Sequence, residues 1–174
     1  TGAKKGVKIS VEALFNQIEA YEPYAGYDQH SKVISWLPHY HDMGLIACML
    51  MPFFKKVPIY MMSPFAWAKN PVILLEAIEK HQGTHVWLPN FALGHLTKSI
   101  SQDKVKSLNL SSLRKLVCCS EPVLHETVER FVEKFTPSGL KEEVINNCYA
   151  MAENTFAITS TKRGLSQVIQ LDRE

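Results

Sequence analysis

The residues best able to do chemistry lie in the run Ser35-Trp36-Leu37-Pro38-His39-Tyr40-His41-Asp42-Met43-Gly44-Leu45. Two imidazoles and a carboxylate stand there between two apolar segments, Val33-Ile34 and residues 46–51. An imidazole beside a carboxylate can move a proton near neutral pH, donate to a developing anion or ligate a metal. His39, His41 and Asp42 would suit zinc or iron, but no further spaced ligand pair accompanies them, and a structural turn is the plain alternative. Three other clusters carry comparable groups. Thr1-Gly2 with Lys5-Gly6 combine a hydroxyl, glycines and an ammonium, which can approach phosphate oxygens; a frayed terminus would explain them as well. Ser120-Glu121-Pro122 and residues 149–154, with Tyr149 and Glu153, each follow an apolar run.

Alternating elements must position these clusters. Ser10 caps a helical pattern carried by Val11, Leu14, Phe15 and Ile18, ending before the turn material of residues 23–28. Residues 32–37 read as a strand, 43–51 as an apolar helix with Asp42 as its N-cap, and 57–61 as a second strand. Asn70-Pro71 opens a helix through Ile73, Leu74, Ala77 and Ile78 to His81, and Gly83 ends it. Residues 84–88 form a third strand, Pro89-Asn90 a turn, 91–100 a helix and 101–107 a surface loop. Residues 113–119 carry a fourth strand, and 123–135 an amphipathic helix burying Val128, Phe131, Val132 and Phe135. Residues 144–149 give a fifth strand, 150–155 a polar turn and 156–160 a sixth strand; the tail from 161 to 174 has no strong pattern. Strand and helix in alternation predict an α/β fold, doubly wound on a mostly parallel sheet. In such sheets ligands bind outside the carboxyl ends of the strands, where residues 1–6, 38–42, 120–122 and 149–154 would converge.

Composition narrows the class. With 174 residues, 46% hydrophobic and 21% charged, the chain can build one domain with a sizeable core. A net charge of +2 from scattered Lys and Arg leaves no nucleic-acid footprint. The four cysteines, Cys48, Cys118, Cys119 and Cys148, lack C-x-x-C spacing and sit in apolar runs. Buried thiols in a reducing, cytoplasmic compartment are therefore expected over disulfides or zinc. No window approaches the about 18 apolar residues of a membrane span. Because the chain opens on Thr1 without a methionine, we expect a piece of a larger protein.

In order and separation the clusters resemble the adenylate-forming (AMP-binding) enzymes. Thr1-Gly2 with Lys5-Gly6-Val7 is similar to the second half of their glycine-rich phosphate loop. Trp36-Leu37-Pro38 with Tyr40-His41-Asp42-Met43-Gly44-Leu45 resembles, more specifically, the fatty acyl-AMP ligase branch. Pro89-Asn90-Phe91, Glu121-Pro122-Val123 and the segment from Tyr149 to Glu153 fall where that branch has counterparts. The resemblance implies that residues 1–174 form a single partial adenylation domain, the middle of the large N-terminal domain, without the small C-terminal domain and its catalytic lysine. The fragment alone would then be inactive, while its parent would join a fatty or related carboxylic acid to ATP, with Mg²⁺, as an acyl adenylate, releasing pyrophosphate. An acyl carrier protein is the implied acceptor.

The resemblance also implies roles for residues. Thr1, Gly2, Lys5 and Gly6 would hold the β,γ-phosphates. His41 would sit beside the acyl carboxylate and α-phosphate. Ser120, Glu121 and Pro122 would flank the adenine, Tyr149 would lie against its ring, and Ala150, Met151 and Ala152 would complete the nucleotide segment. Glu153 would bind Mg²⁺. Three positions depart from the pattern: Lys4 replaces a proline, and Cys119 and Ala150 replace glycines, adding side-chain bulk where backbone normally packs near nucleotide. Acyl-CoA ligases, amino-acid adenylation domains, a non-catalytic nucleotide- or carrier-binding domain and a metal-dependent hydrolase are the alternatives.

Overall fold

The structure is a computed structural model that describes residues 6–161. Six strands form one sheet in the order β2-β1-β3-β4-β5-β6: β1 (Val33–Ser35), β2 (Ile59–Met61), β3 (His85–Leu88), β4 (Lys115–Cys118), β5 (Ile145–Ala150) and β6 (Ala157–Ser160). The first five are parallel, and β6 runs antiparallel to β5. Val33, Ile34 and Ser35 of β1 and all of β3 and β4 are buried, as strands covered on both faces must be.

The connection from β1 leads to β2 on one side, whereas the connection from β3 leads to β4 on the other. Right-handed crossovers therefore place the intervening helices on opposite faces, and the strand order reverses between β1 and β3. That reversal opens a crevice between the turns that follow these two strands.

The first helix, α1 (Val11–Ala25), starts at Ser10, whose Oγ accepts from the Ala13 N–H at 3.0 Å. It runs through Pro23 rather than stopping before it. Ile18, Tyr21 and Ala25 lie on one helical stripe and are buried, and the Tyr21 hydroxyl accepts from Trp87 Nε1 at 3.3 Å. Packing of that stripe outweighs the hydrogen bond that proline forfeits, and Gly26, at φ 67°, closes the helix. After β1 the chain forms a π-helical segment, Met43–Leu50, continued by α2 (Met51–Phe54).

Two short helices were not expected from the sequence. Between β2 and α4 (Val72–His81) lies α3 (Pro64–Lys69), opened by a proline in its first turn and pinned by buried Trp67. After α5 (Asn90–Ser99) comes α6 (Gln102–Ser107), where a surface loop was expected. Ser101 Oγ caps it by accepting from the Lys104 N–H at 3.3 Å, and its one apolar residue, Val105, is fully buried. The strongly amphipathic α7 (His125–Phe135) begins two residues later than its sequence pattern suggested and buries Phe131 and Phe135, with Val128 and Val132 partly covered. Among the described residues no helix is long and apolar enough to cross a membrane, and all four cysteines are free and buried.

His85, at the start of β3, is a core histidine satisfied on both nitrogens: Nδ1 contacts Thr84 Oγ1 at 2.7 Å and Nε2 the Ala25 carbonyl at 3.0 Å. Burial pulls its pKa down to about 4 and keeps it neutral.

Gly44 is fixed by a close approach of backbone. A Cβ added there would lie 2.2 Å from the Pro38 carbonyl oxygen and 2.9 Å from its carbon, and neither atom can swing aside. We expect Gly44→Ala to lower unfolding free energy by at least ~2 kcal/mol, read from a denaturation curve; an unchanged midpoint would contradict this packing.

Candidate functional site

Four turns at the carboxyl ends of β1, β3, β4 and β5 build the site. After β1 the chain folds back on itself, the His41 N–H donating to the Pro38 carbonyl at 3.3 Å and the Leu45 N–H to the His41 carbonyl at 2.9 Å. Asp42 Oδ1 accepts from the Met43 N–H at 2.9 Å, capping the π-helical segment as its residue type suggested. The same oxygen lies 2.7 Å from His41 Nδ1. A carboxylate at that distance requires Nδ1 to carry the proton, so Nε2 is left to face solvent or a ligand.

The pair shifts both titrations. His41 is raised from 6.5, chiefly by its hydrogen bond to Asp42 and against its partial burial. For Asp42 the largest influence is burial, which pushes its pKa up, yet the bonds from His41 and the Met43 N–H outweigh it and the net shift is downward from 3.8. The His41 contribution to stability is complete below about 6.5 and is lost as pH rises through its raised pKa; that of Asp42 is complete above about 3.8 and is lost as pH falls through its lowered one.

Polar ties join the turns that follow β1, β3 and β4. Glu121, after β4, accepts through Oε1 from the Phe91 N–H at the start of α5. Asn90 returns the tie, its buried Oδ1 accepting from the Leu124 N–H at 3.1 Å. Ser120 Oγ lies 3.5 Å from Met43 Sδ, linking the β4 turn to the β1 turn.

A cleft of about 590 Å³ opens between the β4 turn and the β5–β6 pair, lined by residues 120–123, 147–150 and 159–161. It brings together five of the expected site residues: Ser120, Glu121, Pro122, Tyr149 and Ala150. The Tyr149 ring is well exposed, and Ser120 holds a left-handed backbone at φ 77°, which turns the chain sharply at the cleft mouth. Asn147, missed by the sequence reading, also lines the cleft; its Oδ1 is buried and has no hydrogen-bond partner among the described residues. The available signal was a pair of asparagines, Asn146-Asn147, inside an otherwise apolar strand.

Other expected residues lie elsewhere. Met151, Ala152 and Glu153 follow β5 on a short 3₁₀ turn outside the cleft lining, with Glu153 exposed. His41 lies on the neighbouring turn, also outside that lining, and Gly6 is exposed in open surroundings. Thr1, Gly2 and Lys5 lie outside the described residues. Cys119 is fully buried and does not line the cleft. It meets Cys148 across β4 and β5, and the Cys148 S–H, donating to the Cys119 sulfur, holds the Cys119 pKa down and drives its own up. Among the described residues no group of three or more His, Cys, Asp or Glu could hold a metal ion, so His39, His41 and Asp42 do not assemble the metal site weighed from the sequence.

The other half of the carboxyl edge, over β2, β1 and β3, is aromatic. Trp36 and Trp67 stack with ring centroids 3.8 Å apart and Phe91 meets both edge-on, while Tyr40 of the β1 turn, Met61 of β2 and Phe65 of α3 are exposed. The edge is thus apolar on one side, polar on the other, with His41 on the turn between β1 and the π-helical segment.

Residues 1–172 match the family model described as AMP-binding enzyme. The chain belongs to that family. This AMP-binding chain is 33% identical over 164 residues to a medium-chain-fatty-acid–[acyl-carrier-protein] ligase, JamA, of Moorena producens (strain JHB), an alignment covering 94% of the chain and 28% of that protein. It superposes on a fatty acid AMP ligase from Legionella pneumophila with a TM-score of 0.90 at 36% identity, covering 92% of the chain and 28% of that structure. The fatty acyl-adenylate ligase of the same organism, in complex with acyl adenylate and pyrophosphate, gives a TM-score of 0.89 at 36% identity over the same shares. The AMP-binding chain thus spans a little over a quarter of the length of these relatives.

By proton NMR, the His41 imidazole should titrate above 6.5, and Asp42→Asn should return it toward that value. A wild-type titration at or below 6.5 would remove the pair from the site.

Proposed function

We propose that the protein carrying this chain activates a fatty acid as its acyl adenylate, and that residues 1–174 are the part of its adenylation domain that holds the nucleotide. The observation that supports this best is the cleft beside Tyr149. The exposed Tyr149 ring and the Asn147 carboxamide, whose buried Oδ1 has no partner among the described residues, both line it, and adenine offers a π face and an exocyclic amine donor to match them. Ser120, Glu121 and Pro122 flank the ring from the β4 turn. Glu121 does so as a brace, since its carboxylate is engaged by the Phe91 N–H.

The reaction joins a carboxylate oxygen to the α-phosphorus of ATP and expels pyrophosphate. His41 stands on the neighbouring turn, and in the imidazolium form that the Asp42 hydrogen bond favours its Nε2 donates to the α-phosphate oxygen as negative charge builds. Thr1, Gly2, Lys5 and Gly6 hold the β,γ-phosphates. Glu153 offers one exposed hard-oxygen ligand, which with phosphate oxygens and water suits Mg²⁺. When bound, that ion neutralises phosphate charge. The aromatic half of the edge takes the acyl chain, and an acyl carrier protein receives the product, as the name of the Moorena relative suggests. Cys119, buried outside the cleft lining, does not obstruct a nucleotide, so only Ala150 of the two replaced glycines adds bulk inside it. That weakens the alternative of a non-catalytic binding domain.

The test is carboxylate-dependent ATP–pyrophosphate exchange by the longest natural protein containing this sequence, with fatty, aryl and amino acids. Exchange with fatty acids is expected. Asn147→Ala should raise KM for ATP about tenfold through loss of one well-placed hydrogen bond. His41→Ala and Glu153→Gln should lower kcat far more than they lower Tm. Absence of exchange with every acid would overturn the proposal.

A further inference from the structure

Ser120 stands in the left-handed region at φ 77°, a conformation that a residue with a Cβ keeps only where its surroundings hold it. The segment from Cys119 to Leu124 is neither helix nor strand, so the hold comes from outside it. Three hydrogen bonds supply it, and all three end on the corner between β3 and α5. The Cys119 N–H donates to the Leu88 carbonyl at 3.1 Å, Glu121 Oε1 accepts from the Phe91 N–H, and Asn90 Oδ1 accepts from the Leu124 N–H at 3.1 Å.

The three ties differ in kind. The first prolongs the pairing of β3 with β4, and the second comes from a side chain that itself lines the cleft. The third comes from a side chain that does not: Asn90 is 7% exposed and takes no part in the cleft lining. It grips the turn at Leu124, the last residue before α7. With Cys119 fixed at one end and Leu124 at the other, the residues between them are held from both sides. Removing Asn90 Oδ1 takes the acceptor from the Leu124 N–H and frees the far end of a strained turn.

We infer that Asn90 is a positioning residue for the nucleotide: by holding Leu124 it keeps the turn of Ser120, Glu121 and Pro122 in the pose in which that turn flanks adenine, without itself touching the ring. The inference rests on the adenylation reading above, which puts adenine in this cleft. A turn ordered only when the nucleotide arrives subtracts its ordering from the binding free energy. The loss therefore falls on KM for ATP, while the acyl chain, on the aromatic half of the edge, is bound as before.

The experiment is the same exchange assay on the longest natural protein containing this sequence, with a fatty acid as substrate. Asn90→Ala should raise KM for ATP about tenfold and change kcat and KM for the acid by less than about threefold. Asn90→Asp, which keeps an acceptor at the same reach, should recover most of the loss. The bond can also be removed from its other end. Leu124→Pro deletes the N–H at a residue whose side chain is exposed and whose φ of −90° lies close to the proline range. It should reproduce the rise in KM for ATP, and the double variant should add nothing to either single one, because both remove the same bond. Should Asn90→Ala fail to fold, Leu124→Pro decides alone. An unchanged KM for ATP in Leu124→Pro, additive losses in the double variant, no recovery in Asn90→Asp, or equal losses in kcat and both KM values would overturn the inference while leaving the adenylation reading intact. Exchange by the wild type with no acid at all would overturn both.

Discussion

The candidate site depends on a backbone contact that no side chain makes: the passage of Gly44 against the Pro38 carbonyl. With no Cβ, Gly44 lets the chain leave β1, turn within a few residues and enter the π-helical segment at once. That return sets His41 and Asp42 on the rim of the sheet beside the strand-order reversal. π-Helical turns are uncommon and recur at functional sites; here the wider winding begins at Met43, whose N–H the Asp42 carboxylate already holds. A longer turn would carry the imidazole away from the edge, and the pair would lose its partial burial and with it much of its mutual influence on titration.

Around that fixed turn, the other loops are tied to one another rather than to the solvent. Glu121 binds the first turn of α5, Asn90 binds the segment leading into α7, and Ser120 reaches Met43. Each tie spans two strand ends, so the β1, β3 and β4 turns form one linked unit. Such linkage spends conformational entropy in folding and leaves less to be lost when a ligand arrives. Among the described residues, the buried polar atoms without a hydrogen-bond partner include Asn147 Oδ1 beside the cleft and the two indole N–H groups on the aromatic side, and also Asn146 Oδ1 and the Tyr27 hydroxyl away from them.

The alternation of apolar strands with helical patterns was legible from the sequence, and so were the parallel sheet, the turns that carry His41 and Ser120, and the fifth strand that carries Tyr149. What escaped was set by contacts distant in the chain. Pro23 suggested a helix end, but the Ile18–Tyr21–Ala25 stripe had a partner in β3 and the helix continued. Residues 101–107 read as a polar loop because one valine cannot show a period; Val105 became a helix anchor once the core reached it. The segment holding α3 gave only Pro64 and one tryptophan as signals. Asn147 was overlooked because its importance lies in what it lacks, a partner for Oδ1, and only the assembled cleft reveals that. Glu121 was expected at the site from the resemblance, but its bond to the Phe91 N–H spans 30 positions and has no local signature.

The central claim is that the polar half of the carboxyl edge holds adenine and the aromatic half the acyl chain. The most direct test is a crystal structure of the longest natural protein containing this sequence, bound to a non-hydrolysable acyl-adenylate analogue. The account predicts the adenine ring against Tyr149 with its amine at Asn147 Oδ1, and the acyl chain over β1 and β3 toward Trp36 and Trp67. An adenine bound outside the cleft of residues 120–123 and 147–150, or an acyl chain lying along β5 and β6, would contradict it.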